Sequence, residues 1–187
     1  MRRLILHVLA LALAGAPVAH AQLRPDQRRA ELNTLLDALR TASSERYAAV
    51  LETRIRQLWL EQGSPAVVLM INRGQRDLGN EAAAAALSDF NTAITLAPDL
   101  PDAYFGRALA RYAGGDYHGA LADIEQTLKL EPRHFPAFEA LSRIAEALHD
   151  DKGALAAWQK ALDLSPKTPG GAERLKALTL KVQGEST

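Results

Sequence analysis

The chain has 187 residues, 22 basic against 22 acidic side chains, and no cysteine. The missing thiol excludes a disulfide framework, a cysteine-ligated metal, a cysteine nucleophile and a cysteine-borne lipid anchor. Balanced charge offers no excess to neutralise phosphates, which argues against a nucleic-acid partner, and abundant alanine and leucine with few aromatics favour helices.

In chain order, Met1, Arg2 and Arg3 precede the apolar run LILHVLALALAGAPVA over 4–19, and Ala19 and Ala21 form the small pair that a signal peptidase needs. This layout predicts a secretory leader over 1–21, cleaved after Ala21. The run holds about 13 strongly apolar residues before Pro17, short of the roughly 20 that span a bilayer. An uncleaved anchor is the alternative. The expectation is therefore a periplasmic or secreted protein, not inserted in a membrane after cleavage. Loss of Arg2 and Arg3 leaves 20 basic against 22 acidic residues, and Gln22 to Thr187 suits one domain.

Residues 22–66 read as a helical hairpin. Leu32, Leu35, Leu36 and Leu39 follow helical spacing, and Tyr47, Val50, Leu51, Ile55, Leu58 and Trp59 make a second stripe. Ser43 or Ser44 caps the second helix, and Gly63-Ser64-Pro65 ends it.

Three prolines then stand 34 residues apart, at Pro98, Pro132 and Pro166, in the matching contexts ITLAPDL, LKLEPRH and LDLSPKT. They divide the chain into units 67–100, 101–134 and 135–168. Small residues recur at Gly74, Ala108 and Ser142, at Ala86, Ala120 and Ala154, and at Ala93, Thr127 and Ala161. Large ones recur at Met70, Tyr104 and Phe138, and at Phe90, Ile124 and Trp158. Small against large at fixed places is what two closely crossing helices require, and each proline stops the second helix of its unit.

This pattern resembles the tetratricopeptide repeat, a 34-residue helix–turn–helix unit with small residues at three places and a terminal proline. The middle unit matches best, through Tyr104, Ala108, Gly115, Tyr117, Ala120, Ile124 and Pro132; the outer two carry Glu81 and His149 where it has Gly115. In the family's phasing, Arg40 and Glu52 of the first hairpin occupy small-residue places. That hairpin is either a degenerate repeat or an unrelated element. After Pro166, Leu175, Leu178 and Val182 at helical spacing predict a capping helix within 169–187, ending in the loose tail QGEST.

The resemblance implies an all-α fold of three stacked units, a short right-handed α-solenoid, with the first helices lining a concave groove. The groove positions carried over are Val68, Ile71, Gln75 and Leu78, then Asp102, Phe105, Leu109 and Tyr112, then Glu139, Arg143 and Glu146. Phe105, Leu109 and Tyr112 either anchor a partner segment or lie beneath the N-terminal hairpin. The places where the family's carboxylate-clamp members carry lysine, asparagine and arginine hold Ile71, Gln75, Gly106, Pro136 and Ala140, so that clamp is missing. A hydrophobic or amphipathic segment with a basic end suits the groove.

No HExxH, GxSxG, GxxxxGK[ST] or GxGxxG motif occurs. Asp116, His118, His149, Asp150 and Asp151 fall in the turns between helices, where capping accounts for the acids; a surface metal site is the sharper alternative. No catalytic residue, metal or cofactor is assigned. The expected function is a non-catalytic adaptor or scaffold of the bacterial envelope that binds another polypeptide in its groove. The alternatives are a self-associating structural protein, or a metal-binding or enzymatic one using the His118 and His149 turns.

Overall fold

The computed structural model describes residues 24–184, and these contain nine helices and no strand. The expected leader with its cleavage after Ala21, and the last three residues of the tail, lie outside the described residues. No helix among the described residues is long and apolar enough to cross a membrane.

The N-terminal pair is α1 (Pro25–Arg40) and α2 (Glu45–Leu60). Three helical hairpins follow: α3 (Pro65–Gly79) with α4 (Ala83–Leu96), α5 (Pro101–Ala113) with α6 (Tyr117–Leu130), and α7 (Phe135–Ala147) with α8 (Asp151–Leu164). The last helix, α9 (Gly171–Gly184), takes in Gln183 and Gly184 of the expected tail. Side chains fix the helix starts by accepting orphan backbone N–H groups. Ser44 caps α2 and Ser64 caps α3, where Pro65 adds a preset first turn. Asp116 accepts from Gly119 N–H at 2.9 Å, and Asp150 from Gly153 N–H at 2.8 Å. The second helices end at Leu96, Leu130 and Leu164, two residues before each proline.

Between paired helices the chain needs one left-handed residue. Gly115 supplies it with φ 81°, and Glu81 and His149 adopt φ 59° and 61° at the same place in their units. A side chain there carries a conformational cost that glycine avoids.

The recurring small residues are buried where helices cross, and Phe90, Ile124 and Trp158 fill the space opposite. An ionic crossing also repeats. Arg73 of α3 grips Asp89 of α4, and Arg107 of α5 grips Asp123 of α6 through two bonds of 2.9 and 2.7 Å, joined by Arg111 at 2.9 Å. Asp89 and Asp123 are both buried, so these bidentate pairs compensate carboxylates withdrawn from water. The third unit has Leu141 and Ala157 in those places. Sequence reading passed over these pairs, although identical residues 34 apart signal them.

The first helices α3, α5 and α7 pack on one another, whereas α4, α6 and α8 touch only their sequence neighbours in the array and, for α8, α1. The array therefore curves with the first helices on its inner side. Helix α9 closes the far end: Leu178 is buried, and Arg174 reaches Ser142 and Glu146 of α7.

Candidate functional site: a groove half filled by the N-terminal hairpin

The hairpin α1–α2 folds back over the array, with α1 against α8 and α2 against α5. Its apolar stripes, from Leu32 to Leu39 and from Leu51 to Trp59, close one core whose buried contribution from the array is Phe135, with Leu164 packed at its edge. Trp59 stacks on the His134 ring at 4.4 Å between centroids, and Phe105 meets that ring at a tilt, 4.8 Å away. Arg56 lies over Phe135, and Glu52 accepts from the Ser165 hydroxyl at 2.8 Å. Arg133, in the turn before α7, reaches Asn33 and Asp37 of α1. The hairpin thus covers the groove where α5 and α7 begin and leaves their later turns open.

His134 anchors this seam. It caps α7 by accepting Ala137 N–H on Nδ1 at 3.1 Å, so its ring proton sits on Nε2. That nitrogen lies 4.0 Å from Asp102 Oδ1. His134 Nε2, Asp102 Oδ2 and Trp59 Nε1 are buried and find no hydrogen-bond partner among the described residues. Asp102 and His134 line a cavity of about 280 Å³ whose walls include Arg56, Gln57, Leu60, Gln75, Phe105 and Pro136.

The expected groove residues divide accordingly. Gln75 and Arg143 are exposed. Phe105 is half-buried beside His134, at the covered end. Leu109 and Tyr112 are half-buried further along α5, with Tyr112 leaning on Tyr117 at 5.4 Å. Leu78 is half-buried against the core of α3 and α4, and Glu146 is drawn into the Arg174 pair. Ile71 needs correction: it is fully buried, because α4, α5 and the Leu60 end of α2 close over its side of α3, and it offers nothing to a partner. Glu139 is half-buried; burial, reinforced by the Glu52 carboxylate across the seam, pushes its carboxyl above the usual range, while Arg56, Arg143 and Arg174 oppose.

Of the expected turn residues, Asp116 and Asp150 cap α6 and α8, and His149 is exposed in its turn. His118 and Asp151 need correction: both lie in the first turns of those helices, His118 exposed and Asp151 buried against Lys181 of α9. Among the described residues no three His, Asp or Glu side chains converge as a metal site would require. Sequence reading missed the seam that His134 anchors, with Arg133 and the Trp59 stack; the one available signal was that Trp59 is the bulkiest residue of its stripe.

No family model matches the chain. A TPR repeat-containing protein of Rhizobium etli is 29% identical over 168 residues, covering 90% of this chain and 81% of that protein. RNA polymerase II-associated protein 3 of Homo sapiens is 32% identical over 120 residues, 64% of this chain but 18% of its own length. Among solved structures, the first TPR of Spaghetti (RPAP3) bound to an HSP90 peptide superimposes with a TM-score of 0.62 at 16% identity, over 65% of this chain and 98% of that one. The Sgt2 TPR domain from Aspergillus fumigatus gives 0.62 at 21%, over 66% and 83%.

Proposed function

Since the chain is a tetratricopeptide-repeat protein, we propose that it is a non-catalytic adaptor that holds a segment of another polypeptide in the open part of its inner groove. The carrying observation is the uncovered stretch of α5 and α7, where Leu109 and Tyr112 are half-buried and Arg143 is exposed. Rigid apolar side chains ringed by polar ones are what a peptide anchor needs. The peptide held by the Spaghetti domain supports the same mode of use here. The leader-like start over 1–21 supports a place in the bacterial envelope, with an envelope protein met after export as the partner.

A photo-reactive amino acid in place of Arg143 tests the site, with one in place of exposed Glu125 on α6 as control. Crosslinking of one envelope protein from position 143 but not 125 supports the groove. The reverse pattern moves the site to the outer face.

A second reading, self-association, rests on the array's two ends. Leu69 of α3 and Leu96 of α4 are 55% and 57% exposed, and Leu180 of α9 is 57% exposed. A head-to-tail contact between copies covers both ends. Light scattering across a range of concentrations decides it: an invariant monomer removes this reading.

A further inference from the structure

We infer that the covered end of the groove is a docking seat for an amphipathic helix, and that α2 is its built-in but imperfect occupant. This goes beyond the adaptor reading, which concerns the open stretch, by assigning a second seat at the covered end. The seat is the strip of Phe105, His134, Phe135 and Leu164, on which α2 lays Trp59 and its neighbours. A helix lying across a groove is read through residues three and four apart, as Leu51, Ile55, Leu58 and Trp59 are here.

Two features make α2 replaceable. Helix α2 packs more closely on α1 than on any helix of the array, so the hairpin carries much of its own core and lifts as a unit about the turn after Leu60. Its fit is also incomplete. Beside Gln57 and Leu60 it leaves the 280 Å³ cavity, where Asp102 Oδ2 and His134 Nε2 find no hydrogen-bond partner among the described residues. Buried polar groups without partners weaken the complex that leaves them so. Arg56, which also lines the cavity, is engaged by Glu52 at 3.2 Å and by the Phe135 ring.

The partner that fits better is an amphipathic helix with large apolar residues at the places of Ile55, Leu58 and Trp59, and a basic side chain at the place of Leu60. Its cation donates to Asp102 Oδ2 and lies near the Phe105 ring, whose face favours positive charge. Asp102 Oδ1 is then left to the His134 Nε2–H.

The test uses the whole chain carrying Glu52→Cys and Ser165→Cys. The sequence has no cysteine of its own, so a short bismaleimide joins these two alone and locks α2 onto the array. Labelled peptides of residues 44–62, native and Leu60→Lys, are titrated into the linked and unlinked forms of this one variant. The unlinked form is expected to bind both, the lysine peptide about tenfold tighter, and linking is expected to weaken both at least tenfold. Equal affinity for linked and unlinked chain overturns the proposal, as does failure of both peptides to bind the unlinked chain. Lack of preference for lysine overturns the assignment of Asp102. Crosslinking from position 143 that persists in the linked chain leaves the adaptor reading standing even then.

Discussion

The ring of Phe90 lies so close to Gly106 that a β-carbon on Gly106 would sit 2.1 Å from Phe90 Cε1. One unit later the corresponding residues are Ile124 and Ala140, which share a core cluster, and one unit further Trp158 carries the Arg174 guanidinium over its ring at 4.9 Å. In the first two of these pairs the second-helix residue and the next unit's first-helix residue are thus matched in size. Gly106→Ala is expected to cost about 1–3 kcal/mol through overpacking, read as a lower urea midpoint. Adding Phe90→Ile recreates the Ile124–Ala140 pairing and should recover much of that loss.

The Arg107–Asp123 crossing predicts non-additivity. Arg107→Leu alone leaves a buried carboxylate with only Arg111 and should cost about 2–4 kcal/mol. The double change Arg107→Leu with Asp123→Ala copies Leu141 and Ala157 of the third unit and should cost less than the single one. A double-mutant cycle by denaturant unfolding measures this.

Glu81 and His149 pay for a left-handed backbone that glycine adopts freely. Glu81→Gly and His149→Gly are each expected to stabilise by about 0.5–1 kcal/mol, whereas Gly115→Ala should destabilise by about 1 kcal/mol. Thermal unfolding of the three variants orders them.

Glu139 sets a pH dependence across the seam. Its carboxyl is raised in the folded chain, so the contribution to stability is complete below the ordinary carboxylate range and falls as pH climbs through the raised value. Asp89 behaves oppositely. The hydrogen bond from Arg73, with its charge, holds Asp89 below the usual range against burial, so its contribution is present above that range and lost as pH falls beneath it. Glu139→Gln should therefore raise the melting temperature at neutral pH and leave it unchanged in acid, as scanning calorimetry between those conditions can establish.

The stacked hairpins were legible because a repeat writes the same size constraint at one place in every unit: Ala86, Ala120 and Ala154 are buried for one geometric reason. The caps Asp116 and Asp150 were legible because an acid just ahead of a helix has local work to do. The seat of α2 was not legible. Stacking of Trp59 on His134 joins residues from different units, and no period or spacing in the sequence relates them. The burial of Ile71 followed from the same limit. Its alignment with Phe105 and Glu139 fixes its place along the helix, but not what closes over that place from outside the repeat.

The bond between Glu52 and Ser165 has a consequence for how the chain folds. A stack of repeats in which each unit touches only its neighbours is nearly one-dimensional, free to fray from either end with intermediate numbers of units folded. Here the first hairpin is fastened to the last unit, so neither terminus can peel away without breaking contacts at the other. Such a clasp converts stepwise melting into a single transition, and it slows folding because ends distant in sequence must meet before the last contacts form.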